Sequence, residues 1–177
     1  MKIIVVESSP HKNGSSNLLA GELIRGAGES GHRVEVFDCA RAQLHPCLGC
    51  DRCGMSGPCV QTDDMSRLRE KILSSDMMVL VTPLYYFGMS AQLKTVIDRF
   101  YSFNSELTAK GLQTVLIAAA WDNNDWTMRE LISHYETLCR YLHFQNRGMI
   151  LGTGCGTVTM TKSTVFPLKA YELGKSL

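Results

Sequence analysis

Apolar positions along this chain fall into two alternating rhythms. Residues 2–6, KIIVV, form a continuous apolar run rich in β-branched side chains, the pattern of a strand covered on both faces. Leu18, Leu19, Leu23, Ile24 and Ala27 then recur at helical spacing, and Gly31 marks the stop. The alternation repeats. Strands are predicted at 33–38 (RVEVFD), 77–83 (MMVLVTP), 113–121 (QTVLIAAAW) and 147–152 (RGMILG). Helices are predicted over 65–75, with Thr62 or Asp63 as N-cap, over 90–103, and along the stripe Met128, Leu131, Ile132, Tyr135, Leu138 and Leu142. A last short helix is expected after Pro167.

Strand and helix alternate throughout, which predicts an open, five-stranded parallel sheet with helices on both faces. No repeat, low-complexity tract or linker interrupts it, so one domain over 1–177 is expected. In such sheets ligands sit beyond the carboxyl ends of the strands, near the point where strand order reverses. The loops after the first, third and fourth strands therefore carry the functional argument.

The loop after the first strand, ESSPHKNGSSN, brings hydroxyls and Gly14 to a helix N-terminus, where backbone N–H groups and the helix dipole favour a phosphate. It is neither a P-loop nor a G-x-G-x-x-G fingerprint, and a plain capping loop is the alternative. Small tyrosine phosphatases need a Cys-x5-Arg loop here, and no cysteine precedes Cys39. After the third strand, Pro83, Leu84, Tyr85, Tyr86, Phe87 and Gly88 place three adjacent aromatics at a strand end, a flat amphipathic surface for a planar ligand. The competing expectation is that at least one of these rings plugs the core.

The combination SSPHKNGSSN, TPLYYFGMSAQLKTVIDRF and a cysteine run followed by VQTDDM resembles the NAD(P)H-dependent FMN reductase and iron–sulfur flavoprotein group, to about residue 155. The resemblance implies a flavodoxin-like three-layer α/β fold and an FMN-dependent oxidoreductase or electron-transfer protein. By position, Ser9, His11, Ser15, Ser16 and Asn17 would hold the FMN phosphate. Pro83, Leu84, Tyr85, Tyr86, Phe87 and Gly88 would hold the isoalloxazine, and Trp121 would border its far side or pack in the core. Glu7 and His11 depart from the family's usual G-S-P-R, and histidine gives a weaker, pH-dependent charge than arginine. No side chain is nominated as catalytic, because the flavin carries the chemistry. NAD(P)H is the implied donor, and a small-molecule acceptor or ferredoxin-like protein the implied partner. A homodimer or higher homo-oligomer is implied as well.

Composition narrows the setting. Net charge is +1 and 20% of residues are charged, so no strong field invites nucleic acid or an anionic membrane. The first apolar run is too short for a signal-peptide core, and no segment approaches the ~20 apolar residues of a spanning helix. A cytoplasmic protein is expected, in which clustered cysteines are ligands or redox groups rather than disulfides. Four of the seven cysteines, Cys47, Cys50, Cys53 and Cys59, lie in the loop 46–60. Their C-x2-C-x2-C-x5-C spacing is closer to [4Fe–4S] ligation than to zinc knuckles. A cluster-free thiol loop is the alternative, which would make the chain a NAD(P)H-dependent FMN, quinone or nitro reductase. A non-catalytic module binding a phosphate-bearing ligand is the reading from another class. Cys39, Cys139 and Cys155 are expected to be structural. Asp63 and Asp64 are expected to cap a helix.

Overall fold

The run KIIVV has no polar side to offer water, and in the computed structural model, which describes residues 1–177, it forms the middle of a sheet. β1 (Lys2–Glu7) lies between β2 (Arg33–Asp38) and β3 (Met77–Tyr85), followed outward by β5 (Gln113–Ala119) and β6 (Gln145–Gly152). All four pairings are parallel. Strand order reverses between β1 and β3, so their carboxyl ends flank the switch point of a flavodoxin-like fold. A two-residue β4 (Gly88–Met89) turns back antiparallel on the end of β3, an addition to the five strands expected.

Alternate residues of each strand feed opposite layers. Ile4, Val6, Met78, Leu80, Leu116 and Ala118 join one core, beneath α2 (Met65–Leu73), α3 (Ala91–Arg99), α4 (Asn104–Lys110) and α5 (Arg129–Tyr141). Ile3, Val5, Met77, Val79, Val115 and Ile117 join the other, beneath α1 (Ser15–Glu29) and α7 (Phe166–Ser176). A short α6 (Val158–Lys162) precedes α7. No helix is long and apolar enough to cross a membrane.

Three expectations need correction. The single helix expected over 90–103 is α3 followed by a 3-10 turn (Phe100–Phe103) and α4, because Phe103 leaves helical geometry (φ −142°) as its ring packs edge-on against Phe100. Pro167 does not precede the last helix; it occupies the first turn of α7, where its missing N–H costs nothing. That helix is eleven residues long rather than short.

α7 is seated on α1 through two reciprocal close approaches. A Cβ added at Gly26 would lie 2.2 Å from the Tyr171 carbonyl oxygen, and one at Gly174 would lie 2.2 Å from the Leu23 carbonyl oxygen. The obstacles are backbone, so neither can move aside cheaply. Gly174→Ala should therefore cost about 1–3 kcal/mol through overpacking. Gly28→Ala in α1, whose new methyl meets nothing within 4 Å, should stabilise by up to about 1 kcal/mol through helix propensity. Urea midpoints of the two variants check this; equal shifts would show that the helix crossing is loose.

Candidate functional site

Strands β1 and β3 are tied together just where they end. The Ser8 hydroxyl donates to the Val81 carbonyl at 2.7 Å, and the Ser90 hydroxyl donates to Ser8 Oγ at 2.8 Å. The Ser90 amide donates to Thr82 Oγ1 at 2.9 Å, while Ser90 Oγ accepts from the Leu93 amide as N-cap of α3. Ser8, Thr82 and Ser90 are all fully buried, and each hydroxyl has a hydrogen-bond partner, Thr82 donating to the Pro83 carbonyl at 2.8 Å, as burial demands.

Above this floor opens a cleft of about 510 Å³. One wall is the loop from Ser9 to Ser16. Gly14 is the N-cap of α1 and offers no side chain, and the first turn holds no acidic residue. The first bond into the helix runs from the Leu18 amide to the Gly14 carbonyl at 3.0 Å. The amides ahead of Leu18 thus have no intrahelical acceptor. Ser16 is 2% exposed, yet its hydroxyl has no partner. A buried, unpaired hydroxyl beside free amides at a positive helix end fits an anion such as the FMN phosphate.

The opposite wall is Pro83, Leu84 and Tyr85, with Ala119 and Trp121 from the end of β5. Beyond Tyr85 the chain reverses at Tyr86 (φ 46°) and Phe87 (φ 63°) before pairing back through β4. Two consecutive bulky residues with left-handed backbone cost about 1–3 kcal/mol each, strain that gathers at ligand sites. The strain turns the rings outward. Tyr86 is fully exposed, Tyr85 is exposed, and Phe87 packs on Trp126 at 5.0 Å between ring centroids. The expectation that at least one of the three plugs the core is therefore corrected: none is buried.

The structure thus brings Ser9, His11, Ser15, Ser16, Pro83, Leu84, Tyr85 and Trp121 onto one cleft. Trp121 is 70% exposed, not core. Asn17, Tyr86, Phe87 and Gly88 lie outside the lining. The Asn17 amide donates to Glu7 and to the Lys12 carbonyl, both at 3.1 Å, and its Oδ1 is buried without a partner. Burial, followed by the neighbouring Asp38 charge, pushes the Glu7 carboxyl above its usual range. Sequence reasoning missed the wall from Cys155 to Val158. Its signal was present in GTGCGTV, a glycine-rich stretch at a strand's carboxyl end. Cys39, Cys139 and Cys155 are buried as expected, and burial lifts the Cys39 thiol to about 12.

The cysteine loop is built differently. Its neck is clamped by Asp63 and Arg99, whose side chains are each 2% exposed and bond at 2.7 and 3.0 Å. Arg99 also donates to the His45 carbonyl at 2.8 Å, and Asp63 accepts from the His45 amide at 3.0 Å. Gln43 and Asp64 exchange two further bonds across the neck. Asp63 does accept from the Met65 amide at the start of α2, but the N-cap position belongs to Asp64, which makes no side-chain cap bond. Capping is thus the lesser part of what Asp63 does. Inside the loop, Tyr101 holds Asp51 at 2.6 Å and Ser105 holds Ser56 at 2.9 Å. Cys47 and Cys50 are exposed and Cys53 and Cys59 half-buried, all as free thiols. No three of these or other potential ligands converge on one metal position. The donors are right in kind for an iron–sulfur cluster, but as arranged they do not enclose one.

Burial would raise the Asp63 carboxyl; the Arg99 guanidinium and the His45 and Met65 amides outweigh it and hold it below the usual range. Its stabilisation is therefore full above about pH 4 and fades only as pH falls through the lowered value. Arg99→Ala strands a buried carboxylate and should cost about 3–5 kcal/mol, read from urea denaturation at pH 7. A loss below about 1 kcal/mol would mean that water already reaches the pair.

Comparison with known proteins supplies a family. The family model described as NADPH-dependent FMN reductase matches residues 1–146. The chain is 34% identical to an iron–sulfur flavoprotein of Archaeoglobus fulgidus over 111 residues, covering 63% of this chain and 50% of that one. It thus spans about half the length of the curated iron–sulfur flavoproteins it matches. A Bacillus subtilis protein named for an NAD(P)H-dependent FMN-containing oxidoreductase is 28% identical over 87% of this chain and 86% of its own. Among solved structures, the NAD(P)H:quinone oxidoreductase of Methanothermobacter marburgensis superposes with a TM-score of 0.78 at 17% identity, covering 99% of this chain and 95% of that one.

Proposed function

The chain belongs to the NADPH-dependent FMN reductase family, and from that premise we propose that its cleft binds FMN and that the chain is an NAD(P)H-dependent oxidoreductase. The observation that carries the reading is the buried, unpartnered Ser16 hydroxyl at the open N-terminus of α1. It is a donor without a task until an anion arrives. Ser9, Ser15 and Ser16 would hold the phosphate together with the first amides of α1, with His11 beside them on the same wall. Asn17 would contribute its amide, its side chain being engaged by Glu7. Pro83 to Tyr85 and Trp121 would flank the isoalloxazine, and the strained hairpin Tyr86–Gly88 would shape the mouth.

When bound, FMN supplies hydride and one-electron chemistry at its ring. The chain's own residues would orient it, screen it from water and leave one side open to a donor or acceptor. The exposed rings at the mouth favour a homodimer in which a second copy covers them. Seven free cysteines favour a cytoplasmic setting.

A second element of the reading is the cluster. The iron–sulfur names of the relatives and the spacing of Cys47, Cys50, Cys53 and Cys59 support these residues as [4Fe–4S] ligands, with a ferredoxin-like protein as partner. Because the thiols do not converge, the loop would have to close around iron.

Two measurements test these readings. Ser16→Asp sets a carboxylate against the phosphate and should weaken FMN at least about tenfold, while riboflavin, which lacks the phosphate, changes far less. An equal loss for both would put the phosphate elsewhere. Protein prepared without oxygen should contain iron and sulfide, which Cys50→Ser removes while FMN stays near stoichiometric. Wild-type protein with FMN and no iron would leave the cluster-free NAD(P)H-dependent reductase of FMN, quinones or nitro compounds as the function.

A further inference from the structure

Trp121 is large, apolar and 70% exposed, yet the backbone around it is held. The residues around it are bonded to the loop after β6. The Ala120 amide donates to the Gly152 carbonyl at 2.8 Å, the Cys155 amide to the Ala120 carbonyl at 2.7 Å, and the Gly154 amide to the Asp122 carbonyl at 3.1 Å. The Asp122 carboxylate then gathers Asn124, at 2.7 Å, and the Thr127 hydroxyl. The backbone on either side of Trp121 is therefore held.

The indole itself rests on Gly156. A Cβ at that position would lie 2.3 Å from Cε3, 2.4 Å from Cδ2 and 2.9 Å from Cγ of Trp121. Because Cγ sits at the root of the side chain, turning the ring about its own bond does not clear the contact. Gly156 has no left-handed φ, so the backbone does not require glycine there; the space does. A tryptophan that served the core would be covered, and one that served nothing would need no seat. This one has a fitted seat on one face and borders the cleft with Ser9, Pro83 and Tyr85.

Resting on the FMN reading, we propose that Gly156 is a positioning residue: its missing side chain seats the Trp121 indole as the wall against which the isoalloxazine packs. Stacking of a planar heterocycle on an aromatic side chain is worth about 1–3 kcal/mol on truncation, or about fivefold or more in affinity. The loop after β6 then acts through the loop after β5, and the two share one ligand contact.

The test is a double-mutant cycle on the full chain stripped of flavin, titrated with FMN and read by quenching of flavin fluorescence and by the visible circular dichroism of the bound flavin. Gly156→Ala and Trp121→Ala should each weaken FMN about fivefold or more and alter the dichroic band. Combined, they should bind no more weakly than Trp121→Ala alone, because the glycine acts through the ring. A purely structural glycine would instead add its loss in both backgrounds, and that result overturns the proposal. Should Gly156→Ala fail to fold, Trp121→Ala alone decides, since unchanged affinity there is equally fatal. Wild-type protein that takes up no FMN overturns the FMN reading itself, whereas wild-type binding with an indifferent Gly156→Ala overturns only this inference.

Discussion

The hydroxyl relay from Val81 through Ser8 to Ser90, with the Ser90 amide bonded to Thr82, is the constraint on which both site loops depend. β1 and β3 are hydrogen-bonded neighbours along their length, but backbone pairing alone does not settle where each strand gives way to loop. Buried hydroxyls do. With no water to satisfy them, Ser8, Thr82 and Ser90 hold low energy only when both strand ends and the start of α3 lie at one level. The open N-terminal end of α1 and the ring-bearing hairpin therefore rise from a common rigid base.

Much of this was readable in the chain. Strands covered on both faces are continuous apolar runs, so all five parallel strands were visible, and the switch-point rule directed attention to loops that line the cleft. Ser9, Ser15, Ser16 and Pro83 to Tyr85 followed from loop chemistry. What escaped depends on distance in sequence. Nothing near Arg99 says that it pairs with Asp63, 36 residues away, and Asp63 beside a helix start reads as a cap. The seat of Trp121 is 35 residues further on, at Gly156. The left-handed Tyr86 and Phe87 break local preference, so no propensity argument finds them.

The cysteine loop combines a stiff neck with free thiols. An ion pair this dry contributes little net stability compared with apolar packing, but it tolerates no misplacement, because either charge left alone is costly. Its value is specificity. His45 and Asp63 are held together whatever the residues between them do, so the loop has a fixed base and an adaptable rim. Closing thiols around iron would then be a local event that leaves the sheet and the cleft beyond it undisturbed.

The crossing of α1 and α7 bears on how this sequence can change over generations. At Gly26 and Gly174 the obstacle to a side chain is the partner helix's main chain, which every amino acid shares. No second substitution nearby can make room, so neither glycine is open to compensated drift. Variation in the last helix is confined to its outer face. The family match covers residues 1–146, ahead of α7, yet α7 closes one of the two cores. A graft that replaced this last helix would therefore have to carry α1 along with its cover.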